Sequence, residues 1–106
     1  LDIIPTVVDL SAAEVELSDM PDREFRLRGA ISRISASYDY IIIDCPPSLG
    51  MLTVNALAAA TSVLVPLQCE FYALEGLSQL MRTIDAVKAG LNGALSMQGI
   101  VLTHVR

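Results

Sequence analysis

Short apolar runs alternate along this chain with longer stretches whose apolar residues recur every three or four positions. Residues 2–5 read as a short strand closed by Pro5, and Asp9 or Ser11 suits the cap of a short helix over about 11–17. Pro21 fits the first turn of a helix over about 22–37, with Ser18 or Asp19 ahead of it as cap. Leu27, Ala30, Ile31 and Ile34 share one stripe of that helix. Residues 40–44 read as a strand, and residues 50–60 as a helix that is apolar nearly all round and so buried on several sides. A further strand covers 62–67, and Pro66, which lacks an N–H, should mark its end. The helix over 72–89 carries Leu74, Leu77, Leu80, Met81, Ile84 and Val87 on a wide stripe, with Gly90 as its stop. A strand over 98–104 closes the pattern. Strands separated by helix-length segments imply right-handed crossovers and a parallel sheet. The expected fold class is therefore α/β, a partial parallel sheet with flanking helices in one domain portion.

The strand at 40–44 carries the chemistry. Ile41, Ile42 and Ile43 run directly into Asp44, followed by Cys45-Pro46-Pro47-Ser48-Leu49-Gly50. An unbroken β-branched run suits a sheet covered on both faces. A carboxylate at its end sits where open α/β sheets bind ligands, in the crevice beyond the strand tips. In nucleotide hydrolases this is the Walker B position, where an acid helps to hold Mg²⁺ against phosphates. A buried strand capped by a turn-forming aspartate gives the same pattern, so the run alone leaves both readings open. Pro46 and Pro47 fix two φ angles and remove two donors, which stiffens the loop after Asp44. Ser48 suits a cap of the next helix, or a hydroxyl near the site. Gln68 and Glu70 lie just past another strand tip, on the ligand side of a parallel sheet. Phe71 and Tyr72 suit core or interface packing, and Glu75 suits a first helical turn.

The run from Asp44 to Gly50, followed by Leu52-Thr53-Val54-Asn55-Ala56-Leu57, resembles the ParA/Soj family of chromosome and plasmid partitioning ATPases. So does the stretch from Pro66 to Leu77, including Gln68-Cys69-Glu70-Phe71-Tyr72. Leu1-Asp2-Ile3-Ile4-Pro5 and Ala13-Glu14-Val15-Glu16-Leu17 are similar to the segment that precedes these motifs in the family. The resemblance implies a doubly wound P-loop NTPase fold, ATP as substrate with Mg²⁺, and Asp44 as the catalytic, metal-holding carboxylate. It places Pro46 and Pro47 in the nucleotide-sensing switch, and Gln68 and Glu70 in a loop that approaches the nucleotide and the dimer partner. It further implies an ATP-bound homodimer, DNA binding without sequence preference through regions outside these residues, a ParB-type partner, and a cytoplasmic, nucleoid-associated protein. The family's Gly-rich, Lys-containing phosphate loop is not matched: no Gly-Lys-Thr or Gly-Lys-Ser occurs, and the single lysine, Lys88, falls on a helix face. Residues 1–106 are thus expected to be the central portion of one ParA-type ATPase domain, inactive alone, with the phosphate loop and C-terminal helices outside it. Where the family places an aspartate after its Leu-Thr strand end, this sequence reads Leu102-Thr103-His104-Val105-Arg106. Two alternatives stand beside this reading: a MinD-like or other positioning ATPase of the same class, and a non-catalytic α/β interaction module.

Composition narrows the picture. Hydrophobic residues make up 53% of the 106 residues, yet no apolar run approaches the about 20 residues that span a bilayer, so no membrane role is expected. So apolar a chain is expected to leave some apolar surface uncovered by its own elements. Seven Lys and Arg against twelve Asp and Glu give a net charge of −5, which argues against a broad nucleic-acid surface. Arg23, Arg26, Arg28 and Arg33 form one basic cluster, but Asp19, Asp22 and Glu24 are interleaved with it, as on a salt-laced helix face. Cys45 and Cys69 lack any disulfide or zinc spacing and read as reduced, half-buried thiols. His104 has no triad partners and reads as a strand residue.

Overall fold

The computed structural model describes residues 2–3, 16–17, 19–45, 50–68 and 73–103. Three α-helices and two strands follow one another: α1 (Arg26–Ser32), α2 (Met51–Ala59), β1 (Ser62–Gln68), α3 (Ala73–Gly90) and β2 (Ser96–Thr103). Strands β1 and β2 pair in parallel from Ser62↔Ser96 to Gln68↔Thr103, with one register irregularity between Val63 and Leu64. The β1–α3–β2 unit is thus the parallel crossover that the alternation of strand and helix patterns implies.

Strand β1 alternates, with Val63, Val65 and Leu67 turned toward the helices and Leu64 and Gln68 exposed. Helix α3 lays a stripe of Leu77, Leu80, Met81, Ile84 and Val87 onto the same side, with Ile84 and Val87 fully buried and Asp85 and Lys88 in solvent. Glu75 in its first turn and Lys88 in its last complement the helix dipole. The core closes where Leu57 of α2 meets Ile84, Val87 and Leu95, with Val63 and Met97 of the strands packed against them. Helix α2 is buried through Thr53 and Asn55 to Ala58, as its all-round apolar sequence demands. Its end is closed from outside: the Asn92 amide donates to the carbonyls of Leu57 at 3.1 Å, Ala58 at 3.3 Å and Ala60 at 2.7 Å. These acceptors have no partner in the helix itself, so one side chain of the α3–β2 turn satisfies the terminus of another element.

Several expectations are corrected. The helix foreseen over 22–37 is three short pieces: a 3₁₀ turn at Arg23–Phe25, α1, and a second 3₁₀ turn at Ser35–Ser37. Pro21 lies ahead of the first piece, which is capped by Asp22 in a left-handed conformation (φ 52°). Serine chemistry accounts for the break after α1. Ser32 Oγ donates to the Gly29 carbonyl at 2.7 Å and Ser35 Oγ to the Ser32 carbonyl at 3.4 Å, competing with the helical ladder. Of the proposed stripe, Leu27 and Ile31 are half-buried while Ala30 and Ile34 are exposed. Residues 40–45 carry no regular secondary structure and belong to no ladder among the described residues, and Ile42 is 92% exposed. Three β-branched residues favour an extended backbone, but a strand also needs a neighbour to exchange hydrogen bonds with. Pro66 sits inside β1 rather than ending it. A strand with a partner on one side only accommodates the missing donor. Strand β2 starts at Ser96, two residues before the expected 98, and Gly90 is the last residue of α3 rather than the residue after it. Of the short elements expected over 2–5 and 11–17, residues 2–3 are irregular, residues 16–17 are helical, and the rest lies outside the described residues.

Some apolar surface is left uncovered, as expected. Leu64 is 55% and Leu102 58% exposed on the sheet, and Tyr40 and Ile42 stand almost free. A parallel sheet of this kind is built to be covered on both faces.

Candidate functional site

Asp44 is exposed near the end of the irregular segment 40–45, directly after Ile41, Ile42 and Ile43. Among the described residues its carboxylate forms no hydrogen bond or ion pair. Gln68, the last residue of β1, is also exposed at the carboxyl end of its strand. The structure thus puts Gln68 at a strand end and Asp44 on an irregular segment, and joins them by no direct bond among the described residues. Pro46, Pro47 and Glu70 lie outside the described residues, as do Ser48, Cys69, Phe71, Tyr72 and His104. Gly50, not Ser48, occupies the N-cap position of α2, and no side chain caps it.

Cys45 is a free thiol. Its Sγ lies 3.9 Å from the Ile43 carbonyl. Partial burial of the sulfur, and secondarily the charge of Asp44, push its pKa above the ordinary thiol value. A raised pKa means less thiolate at neutral pH, so alkylation of Cys45 by iodoacetamide is expected to be slower than for a free cysteine. Asp44→Asn removes the repelling charge and should speed that reaction at pH 7.5, as followed by mass spectrometry of the Cys45 peptide; an unchanged rate contradicts the pairing of these groups. Upstream, the Tyr38 hydroxyl donates to the Asp2 carboxylate, which ties residue 2 to the residues just ahead of segment 40–45. That hydrogen bond, with some desolvation, raises the Tyr38 pKa.

The basic cluster is solvated. Arg23 pairs with Glu24 at 3.5 Å, Arg26 donates to the Pro21 carbonyl at 2.9 Å, and the Arg28 guanidinium lies 5.7 Å from the Phe25 ring centre. Two shallow grooves, one of about 420 Å³ beside Val54, Arg82 and Leu91 and one of about 310 Å³ beside Phe25 and Arg28, include neither Asp44 nor Gln68. Asp44 and Gln68 are therefore both open to solvent, outside either groove. No group of three or more His, Cys, Asp or Glu side chains suited to a metal occurs among the described residues. One exposed carboxylate, unpaired among the described residues, fits Mg²⁺, which keeps several waters and takes one or two protein carboxylates beside phosphate oxygens.

Asn55 and Asn92 escaped the sequence reading. A buried amide in an apolar run carries no periodic signal, and only the folded contacts single them out.

A model of the AAA domain family matches residues 1–97. The chain is 67% identical over 103 residues to "Chromosome partitioning protein ParA" of Myxococcus xanthus, covering 97% of this chain and 36% of that protein. It is 54% identical over 103 residues to "Sporulation initiation inhibitor protein Soj" of Bacillus subtilis, covering 97% of this chain and 41% of that one. The chain thus spans about two-fifths of the length of the curated relatives it matches. Among solved structures, cobyrinic acid a,c-diamide synthase of Mycobacterium smegmatis superposes with a TM-score of 0.91 at 43% identity, over 96% of this chain and 42% of that one. The same enzyme with bound ATP analogue and magnesium gives a TM-score of 0.88 at 44% identity, over 92% of this chain and 40% of that one. With a family match over nearly its whole length and partitioning proteins among its relatives, this chain belongs to the AAA domain family, in its ParA/Soj group.

Proposed function

We propose that the complete protein is a Mg²⁺-dependent ATPase that partitions chromosomes or plasmids. The observation that carries this reading is Asp44: an exposed carboxylate without a side-chain partner among the described residues, following three isoleucines, in a fold that resembles a nucleotide- and magnesium-bound relative. A charge that does nothing for the packing of its own segment is available to a ligand. Asp44 would hold Mg²⁺, which supplies charge neutralisation at the phosphates. Gln68 and Glu70 would face the nucleotide from the next strand tip, while Pro46 and Pro47 stiffen the switch between Asp44 and α2. Catalysis of this kind is positioning plus charge stabilisation around the transferred phosphoryl group.

Residues 1–106 would form the central portion of a single ATPase domain, with the phosphate loop supplied from outside them. On this reading the protein is cytoplasmic and nucleoid-associated, dimerises with ATP, binds DNA without sequence preference through other regions, and answers to a ParB-type partner. No described helix is long and apolar enough to cross a membrane. The 67% identity to a partitioning protein supports this reading over a MinD-like one, and amidation of cobyrinic acid stays with the mycobacterial enzyme. The test is ATP turnover: the complete protein should hydrolyse ATP only with Mg²⁺, whereas residues 1–106 alone should show no turnover. Turnover without Mg²⁺, or by the 106 residues alone, overturns the assignment.

A further inference from the structure

We propose that Asn55 is a positioning residue for Asp44: it fixes the two chain segments that flank the Asp44 loop, and so sets how well the site holds Mg²⁺. The inference rests on the reading of Asp44 as a magnesium-holding carboxylate.

Asn55 is a polar side chain only 2% exposed, inside a helix whose other buried residues are mostly small and apolar. Its Oδ1 accepts from the Leu27 backbone N–H at 3.1 Å. Its Nδ2 donates to the Arg23 carbonyl at 2.8 Å and to the Met51 carbonyl at 3.0 Å. Both amide hydrogens and one oxygen lone pair are therefore engaged. Asparagine is a weak helix former, and alanine or leucine would serve α2 better on propensity alone. The amide is explained by what it joins.

Its partners lie on both sides of the site loop. Leu27 and Arg23 belong to the segment that leads through α1 toward Asp44. Met51 is the first residue of α2, which follows Pro46 and Pro47 in sequence. The hydrogen bond from Leu27 to Asn55 joins residues 28 apart, and Asp44, Pro46 and Pro47 all lie within that closed stretch. Because the Asp44 carboxylate has no side-chain partner of its own among the described residues, its position follows from the backbone that carries it. The longer stretch of chain that contains it is closed by one buried amide, bonded to Arg23 and Leu27 upstream and to Met51 downstream. A fully satisfied buried polar group specifies one arrangement, whereas apolar packing tolerates several. Direct hydrogen-bond partners of metal ligands typically matter about 10- to 100-fold in metal affinity, and Asn55 acts one step further back, through the chain.

The test uses the complete protein and the binding of a fluorescent ATP analogue titrated with Mg²⁺, with the thermal midpoint recorded alongside. Asn55→Ala is expected to raise the Mg²⁺ concentration at half-saturation by about 10-fold while leaving analogue binding without Mg²⁺ unchanged. Asn55→Asp keeps the size and the acceptor for Leu27 but, ionised, donates to neither the Arg23 nor the Met51 carbonyl, and should shift half-saturation in the same direction. If Asn55→Ala does not fold, Asn55→Asp decides. A folded variant with wild-type Mg²⁺ dependence overturns the proposal, as does failure of both variants to fold, which would make Asn55 a stability residue only. Asp44→Ala separates the two levels. If it leaves Mg²⁺ dependence intact, the site assignment itself falls; if it abolishes that dependence while the Asn55 variants behave as wild type, only the positioning role falls.

Discussion

Replacing Leu95 by alanine is expected to destabilise the complete protein by about 2–5 kcal/mol, read as a fall in the denaturant midpoint at unchanged slope. Leu95 is 1% exposed and is the largest fully buried side chain among the described residues. It sits in the turn between α3 and β2, where it meets Leu57 of α2 and Ile84 and Val87 of α3. The turn is held by its own backbone: Leu95 N–H donates to the Asn92 carbonyl at 3.2 Å, and Ser96 N–H donates to the Thr61 carbonyl at 3.2 Å. With the backbone tied on both sides, the surroundings cannot collapse fully onto a smaller side chain. Most of the vacated volume stays as a cavity, which puts the cost toward the upper part of the range. A loss below about 1 kcal/mol would show that this cluster is not a packed core.

The elements legible in the sequence are those whose own pattern suffices. Helix α3 announces itself by its stripe from Leu77 to Val87, β1 by its short apolar run, and α2 by a helix-length run that is apolar nearly all round. The rest depends on partners far away in sequence. The stretch 22–37 has a helical stripe, but Ser32 and Ser35 bond to nearby carbonyls and break it. Residues 40–44 have a strand's composition, while ladder formation depends on a neighbour that composition does not name. Pro66 looks like a stop from its chemistry alone, and its tolerance depends on which side of β1 is paired. Asp44 was found because a charge ending an apolar run breaks a local rule. Asn55 and Asn92 break no such rule visibly, since a polar residue in a mixed run reads as exposed until the packing buries it.

The second large effect expected is functional and separable from stability. Asp44 is exposed and its carboxylate has no hydrogen bond or ion pair among the described residues. Removing it should therefore shift folding stability by no more than about 0.5 kcal/mol, as for surface positions without special contacts. The same change should remove a fixed charge from the metal, and the loss of one well-placed electrostatic group costs about 100-fold or more in turnover. A residue kept for the fold behaves the other way round, with a lower midpoint and proportionate loss of activity.

Asp44→Ala in the complete protein, measured for both Mg²⁺-dependent ATP turnover and thermal midpoint, tests the claim that this carboxylate serves a metal and not the fold. The account predicts turnover lowered by about 100-fold or more with the midpoint unchanged. Wild-type turnover, or a loss of activity that only tracks a lowered midpoint, would contradict it.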